Sequence, residues 1–188
     1  MSANNTIVYV SVGSNIDPED HIPRALRALK RNVRVTASST FYLTFPIGKR
    51  DDPQFYNGVW QLETALSPRK LKFGILRAIE EQQGRVRDGN PSRPREIDLD
   101  LILYDKLVLE EPDLQLPDPE IRTRPFLALP LAELEPYLTL PGTTDTISRV
   151  AEALVEQKAE NHERGPVSRG GMKPLPEFTA NLRKMLKS

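Results

Sequence analysis

Six segments that switch between extended and helical patterning restrict what this chain can become. Thr6 to Val12 (TIVYVSV) is β-branched and aromatic and reads as a strand, halted by the turn signal Gly13-Ser14-Asn15. Asp17-Pro18 opens a helix over about 18–31, with Ile22, Ala25, Leu26 and Leu29 at helical spacing. Val33 to Tyr42 is a second strand, 45–53 a turn-rich loop, and Phe55 to Leu66 a third strand whose Val59 and Trp60 supply core bulk. Ser67-Pro68 caps a second helix, striped by Leu71, Ile75, Leu76 and Ile79, that ends near Gly84. After the loop 84–95 comes Ile97 to Tyr104 (IDLDLILY), the most strand-like stretch of the chain. The order βαββαβ predicts an α+β fold, a ferredoxin-like sandwich with helices packed on one face of a mainly antiparallel sheet.

Beyond this unit the pattern loosens. A proline-rich stretch, 112–130, leads to a short helical turn at 131–134, and a further helix is expected at about 145–157. Residues 158–176 are polar and glycine-punctuated, and Phe178, Leu182, Met185 and Leu186 have the spacing of a short terminal helix. The expected organisation is a main domain over 1–157 followed by a connector and helix over 158–188. The 17 prolines among 188 residues, nearly twice the ordinary share of about 5%, are spread among patterned segments and mark fixed turns.

Composition removes several function classes. With no cysteine there is no disulfide scaffold, thiolate metal site or cysteine nucleophile. Lys+Arg and Asp+Glu are both 26, and a neutral chain is poorly suited to coating nucleic acid. No stretch approaches the roughly 20 apolar residues of a membrane span and no signal-peptide pattern opens the chain, so a cytoplasmic protein with neither nucleic acid nor membrane as partner is expected.

Two features carry chemistry. Asp98 and Asp100 lie two apart in a strand, so their carboxylates share a face, where they repel and lose hydration. A divalent cation relieves that conflict, and all-oxygen ligation favours Mg²⁺ held together with substrate phosphates. A half-exposed strand with a polar face accounts for the pair equally well. Directly before it, the loop 84–95 carries Arg85, Arg87, Arg93 and Arg95 against one acid, a local charge of +3. Guanidinium groups match phosphate oxygens, and arginine beside Mg²⁺ suits phosphoryl-type transfer. No P-loop is present, His21 and His162 have no metal-ligand spacing and are expected at the surface, and no serine sits in a nucleophile elbow.

VSVGSN (10–15), SSTFYLTFPIG (38–48), FYNGVWQLET (55–64), IEEQQGRVR (79–87), PREIDLDLILY (94–104) and RPFLALPLAEL (124–134) together resemble the 6-hydroxymethyl-7,8-dihydropterin pyrophosphokinase family, in order and spacing, over about residues 6–141. The element from Arg95 to Asp100, R-x-x-D-x-D, is the family's signature. The resemblance implies the ferredoxin-like fold and transfer of pyrophosphate from ATP to 6-hydroxymethyl-7,8-dihydropterin, releasing AMP, in folate biosynthesis. It implies two Mg²⁺ ions on Asp98 and Asp100, and Arg85 and Arg95 as catalytic residues at the phosphates. Glu80, Leu101 and Arg124 match further ATP-site positions. Thr44, Ile47, Phe55, Asn57 and Phe126 match the pterin pocket, although core packing alone would account for both phenylalanines.

The chain also departs from that family. Asp118 stands where a histidine follows the proline, and Pro91-Ser92-Arg93-Pro94-Arg95 replaces R-W-G-P-R, removing an indole over the pterin. Glu110-Glu111-Pro112-Asp113 is acidic where a basic ATP contact is common. Arg87, Arg93 and Asp118 are therefore carried as residues of open role. The alternative reading of these departures is a family member that binds nucleotide or pterin with little turnover. The neutral total also hides asymmetry: residues 84–95 carry +3 and 96–120 carry −8. Opposed patches of that kind suit a ligand that joins anionic phosphates to cationic metal.

Overall fold

The computed structural model describes residues 5–45, 53–85, 94–160 and 172–187. Six strands form one sheet: β1 (Thr6–Ser14), β2 (Arg34–Ser38), β3 (Tyr42–Thr44), β4 (Phe55–Thr64), β5 (Asp98–Tyr104) and β8 (Lys173–Pro174). Its order is β5-β1-β4-β3-β8, with β2 also on β4, and every pairing is antiparallel. A separate hairpin joins β6 (Leu109–Glu111) to β7 (Leu114–Leu116). Among the described residues no helix is long and apolar enough to cross a membrane.

The sheet has a core on each face. Helix α1 (Pro18–Lys30) buries Ile22, Ala25, Leu26 and Leu29 against Val8, Val10, Val12, Trp60 and Leu62. A π-helical segment, Lys70–Leu76, runs into α2 (Arg77–Gln82) and adds Leu71, Leu76 and Ile79 to the same core. The βαββαβ order accounts for that face. The other face is covered by α3 (Pro125–Leu134) and α4 (Ile147–Glu160), which pack Leu127, Ala128, Leu131, Ile147 and Ala151 on Val59 and Ile102. The expected one-sided sandwich is therefore two-sided. The last helix, α5 (Pro176–Lys187), returns to the first core and buries Leu182 there.

Four local readings change. The strand expected over 33–42 is two strands, because at the break the Ser39 hydroxyl takes the Val59 N–H at 2.9 Å in place of a backbone carbonyl. The turn expected at Gly13-Ser14 is still strand, with Ser14 opposite Tyr56. The turn expected at 131–134 is the end of a ten-residue helix, with Pro125 in its first turn, where a missing N–H costs nothing, and Pro130 inside it. That helix is apolar nearly all round because it lies between β4 and α4. The hairpin β6–β7 straddles the start of the proline-rich stretch, where no strand was expected.

Candidate active site

The sheet register brings the two ends of the site together. Gly13 on β1 pairs with Asp98 on β5 and with Asn57 on β4, and Asn57 pairs with Tyr42 on β3. Directly opposed residues share a face, so this row crosses four strands on the side covered further along by α3 and α4. Asp98 and Asn57 are two strand spacings apart, about 10 Å, with Gly13 between them. A Cβ on Gly13 would lie 2.8 Å from Asn57 Oδ1 and 3.9 Å from the Phe55 ring. Glycine at this strand position leaves a floor with no side chain between the carboxylates and the amide. Sequence reading took it for a turn; its signal was a glycine at the end of a β-branched run.

The charged end is held by ion pairs. Both Asp98 oxygens are engaged, one by Arg85 and the other by Arg95, and Arg85 also pairs with Glu80. Glu80 is 1% exposed and accepts the Leu99 N–H at 2.8 Å, so it reaches the site through Arg85 and the backbone of β5. Gly84 (φ 96°) ends α2 in the left-handed region and lets Arg85 turn back, its N–H 3.1 Å from the Glu80 carbonyl. Leu101 is sealed in the first core, which leaves only its backbone available to a ligand. Burial pushes the Asp98 carboxyl up, but the Arg85 and Arg95 charges outweigh it and hold the group below its ordinary range. Asp100 behaves oppositely. Burial raises it first, then the charges of Asp98 and Glu80, against a smaller pull from Lys72 and Arg85, so it is pushed up to about 7.

Among the described residues no hydrogen bond reaches the Asp100 carboxylate, and no group of three or more metal-ligating side chains gathers there. A strained carboxylate beside an ionised one on the same strand face fits a hard divalent cation. Such an ion takes its remaining oxygens from phosphates and water. Lys72, on the π-helical segment, contributes a cation toward both Asp100 and Asp118 and donates to the Asp113 carbonyl at 3.2 Å. Nothing in its local pattern singled it out.

The opposite end is neutral. Asn57 Nδ2 donates to Thr44 Oγ1 at 2.7 Å, and Phe55, opposite Thr44, lies on the same strand face as Asn57. The Arg95 guanidinium stands 6.0 Å from the Phe55 ring centre, linking the two ends. Asn15 ties them through the backbone: its Oδ1 accepts from Arg95 N–H at 2.7 Å and its Nδ2 donates to the Pro53 carbonyl at 3.1 Å. Phe126 packs on the second core at the start of α3. Arg124 precedes that helix, with its Nε buried and without a partner among the described residues. Asp118 caps the short 3₁₀ turn Pro119–Arg122 by accepting the Glu120 N–H at 2.8 Å, and burial leads the causes that raise its pKa. Ile47, Arg87 and Arg93 lie outside the described residues, as does His162. His21, expected at the surface, is half-buried with Nδ1 2.7 Å from the Gln83 amide.

Fold and site together define a class: an α+β sandwich with an arginine-flanked carboxylate pair on an edge strand and an amide- and aromatic-lined floor beside it. The sequence pattern of the family described as 7,8-dihydro-6-hydroxymethylpterin-pyrophosphokinase (HPPK) matches residues 9–136, and the chain belongs to that family. A Pseudomonas aeruginosa protein named 2-amino-4-hydroxy-6-hydroxymethyldihydropteridine pyrophosphokinase is 43% identical, over 71% of this chain and 83% of its own length. A Haemophilus influenzae protein of the same name is 35% identical over 81% of this chain and 93% of its own. The crystal structure of wild-type Plasmodium falciparum HPPK-DHPS has the same fold, with a TM-score of 0.69 at 13% identity over 92% of this chain. This chain spans 50% of that structure's chain.

Proposed function

We propose that this protein transfers the pyrophosphoryl group of ATP to the hydroxymethyl oxygen of 6-hydroxymethyl-7,8-dihydropterin, releasing AMP. The pterin hydroxyl oxygen attacks the β-phosphorus, the bond from that phosphorus to the α,β-bridging oxygen breaks, AMP leaves with that oxygen, and the hydroxyl proton passes to solvent. The observation that supports this reading is the row Asp98–Gly13–Asn57, in which a carboxylate flanked by arginines and an amide beside an aromatic ring stand about 10 Å apart on one face. Family membership supports the same reaction.

In this assignment Asp98 and Asp100 would hold Mg²⁺, which when bound neutralises phosphate charge and fixes its geometry. Arg85 and Arg95 balance charge on the transferring phosphates, held in place by Glu80 and Asn15. Arg124 and the backbone of Leu101 serve the nucleotide. Asn57, with a donor and an acceptor on one amide, reads the pterin edge, Thr44 orients that amide, and Phe55, Phe126 and Ile47 enclose the ring. Arg87 and Arg93 lie outside the described residues and keep an open role. The reaction is assigned to the cytoplasm, where ATP and Mg²⁺ are abundant.

The test is AMP release from ATP with and without the pterin, with Mg²⁺ or a chelator. Release only when pterin and Mg²⁺ are both present is the expected result. Calorimetric binding of ATP or pterin with no AMP above the pterin-free control would overturn it in favour of a binding protein without turnover.

A further inference from the structure

The C-terminal segment lies beyond residues 9–136, the span matched by the family pattern, yet it is built into the sheet beside the neutral end of the site. Strand β8 adds to β3, with Lys173 opposite Leu43 and Pro174 opposite Tyr42. The backbone at the break between β2 and β3 is satisfied from the same segment. Leu175 N–H donates to the Phe41 carbonyl at 2.8 Å, Phe41 N–H donates to Thr179 Oγ1 at 2.9 Å, and Arg183 Nε donates to the Ser38 carbonyl at 3.0 Å. Lys30 Nζ donates to the Met185 carbonyl at 2.6 Å, fixing the far end of α5 to α1.

One side chain concentrates these contacts on Asn57. The Phe178 ring meets Tyr56 edge-on at 5.2 Å and Phe41 edge-on at 5.5 Å. The Phe41 ring lies so close to Gly58 that a Cβ there would fall 2.7 Å from it. Phe178 thus braces both chain neighbours of Asn57, one directly and one through Phe41. The segment's pairing with Tyr42 and Leu43 braces the residues just before Thr44, the hydrogen-bond partner of Asn57. Tyr42 is tied in turn to α3 through the hydrogen bond from its hydroxyl to Glu133.

We infer that residues 172–187 form a strap whose Phe178 is a positioning residue for the pterin end, holding the Asn57–Thr44 pair in its recognition geometry. Preorganising a recognition amide lowers the ordering cost of binding, so losing the strap weakens binding of the group that amide reads. The nucleotide end lies on the same face toward the other edge of the sheet, on β5, where it is braced by its own ion pairs and keeps its geometry. This inference rests on the assignment of Asn57 and Thr44 to the pterin.

The experiment uses the full chain with Phe178→Ala, Phe178→Tyr and Thr179→Val, the last removing only the hydroxyl that holds Phe41 N–H. Phe178→Ala is expected to raise KM for the pterin about fivefold while KM for ATP stays within about twofold. Phe178→Tyr restores most of the loss and Thr179→Val shifts KM in the same direction by less. Amide hydrogen exchange, which needs no turnover, is expected to quicken in Phe178→Ala at 42–44 and 55–58 and to stay unchanged at 98–104. Equal weakening of both substrates, unchanged pterin KM, or uniform quickening across the sheet would overturn the inference. If the wild-type chain releases no AMP, the functional reading fails while the exchange pattern still decides whether the strap braces Asn57.

Discussion

The two ends of the site are held by different physics. At the charged end, Glu80, Arg85, Arg95 and Asp98 come from one short stretch of chain and hold one another through buried ion pairs. At the neutral end, Thr44, Phe55 and Asn57 are positioned by strand register, by a glycine floor and by aromatic packing from residues more than a hundred positions away. Charges in a low-dielectric setting fix each other strongly over short distances. A neutral amide gains only a modest hydrogen-bond energy and depends on its surroundings to stay aimed. The charged end should therefore fail abruptly when one group is removed, and the neutral end should fail gradually.

Asp98→Asn tests the abrupt side and is expected to have the largest effect. It removes the charge that both arginines face, and AMP formation should fall by about a hundredfold or more, with pterin KM changed far less; a variant near full rate would break the comparison. Glu80→Gln strips a buried partner from Arg85 and should cost about 3 kcal/mol of stability, the low end for a buried pair because Asp98 still holds the guanidinium. The shift of a denaturant midpoint reads this. Gly13→Ala adds a methyl 2.8 Å from Asn57 Oδ1 and should raise pterin KM about tenfold, the scale of a small overpacking penalty; an equal rise in ATP KM would mean the two ends are not separable.

A further contrast between the two carboxylates is expected in pH. The unfolded Asp100 gives up its proton near 3.8, while the folded one keeps it to about 7. Between these values the folded state binds more protons, so without divalent cation stability falls as pH rises from about 4 to 7. Asp98, held below its ordinary range, acts in the opposite direction, and its contribution is lost as pH falls below about 4. Thermal melts of metal-free protein across that window, compared with Asp100→Asn, should show the downward slope flatten in the variant.

The same contrast explains what the sequence disclosed. Alternation in IDLDLILY and the arginines just before it made the charged end readable, because its residues are neighbours in the chain. The βαββαβ order was readable for the same local reason. Gly13 looked like a turn because its purpose, leaving room for Asn57, appears only when β1 and β4 are paired. The Ser39 hydroxyl that replaces a backbone acceptor, and the apolar helix between β4 and α4, are tertiary facts hidden behind unremarkable local patterns. Asp118, left with an open role by the sequence, caps a 3₁₀ turn through the backbone N–H of Glu120, two residues away.

The central claim is that one continuous floor joins the carboxylate pair to the pterin-reading amide across Gly13. A crystal structure of the protein with Mg²⁺, a non-hydrolysable ATP analogue and 6-hydroxymethylpterin tests it most directly. The prediction is metal density on Asp98 and Asp100, the pterin edge on Asn57, and the hydroxymethyl group over Gly13 facing the β-phosphorus. Metal bound away from the two aspartates, or a pterin seated anywhere but against Asn57, would contradict it.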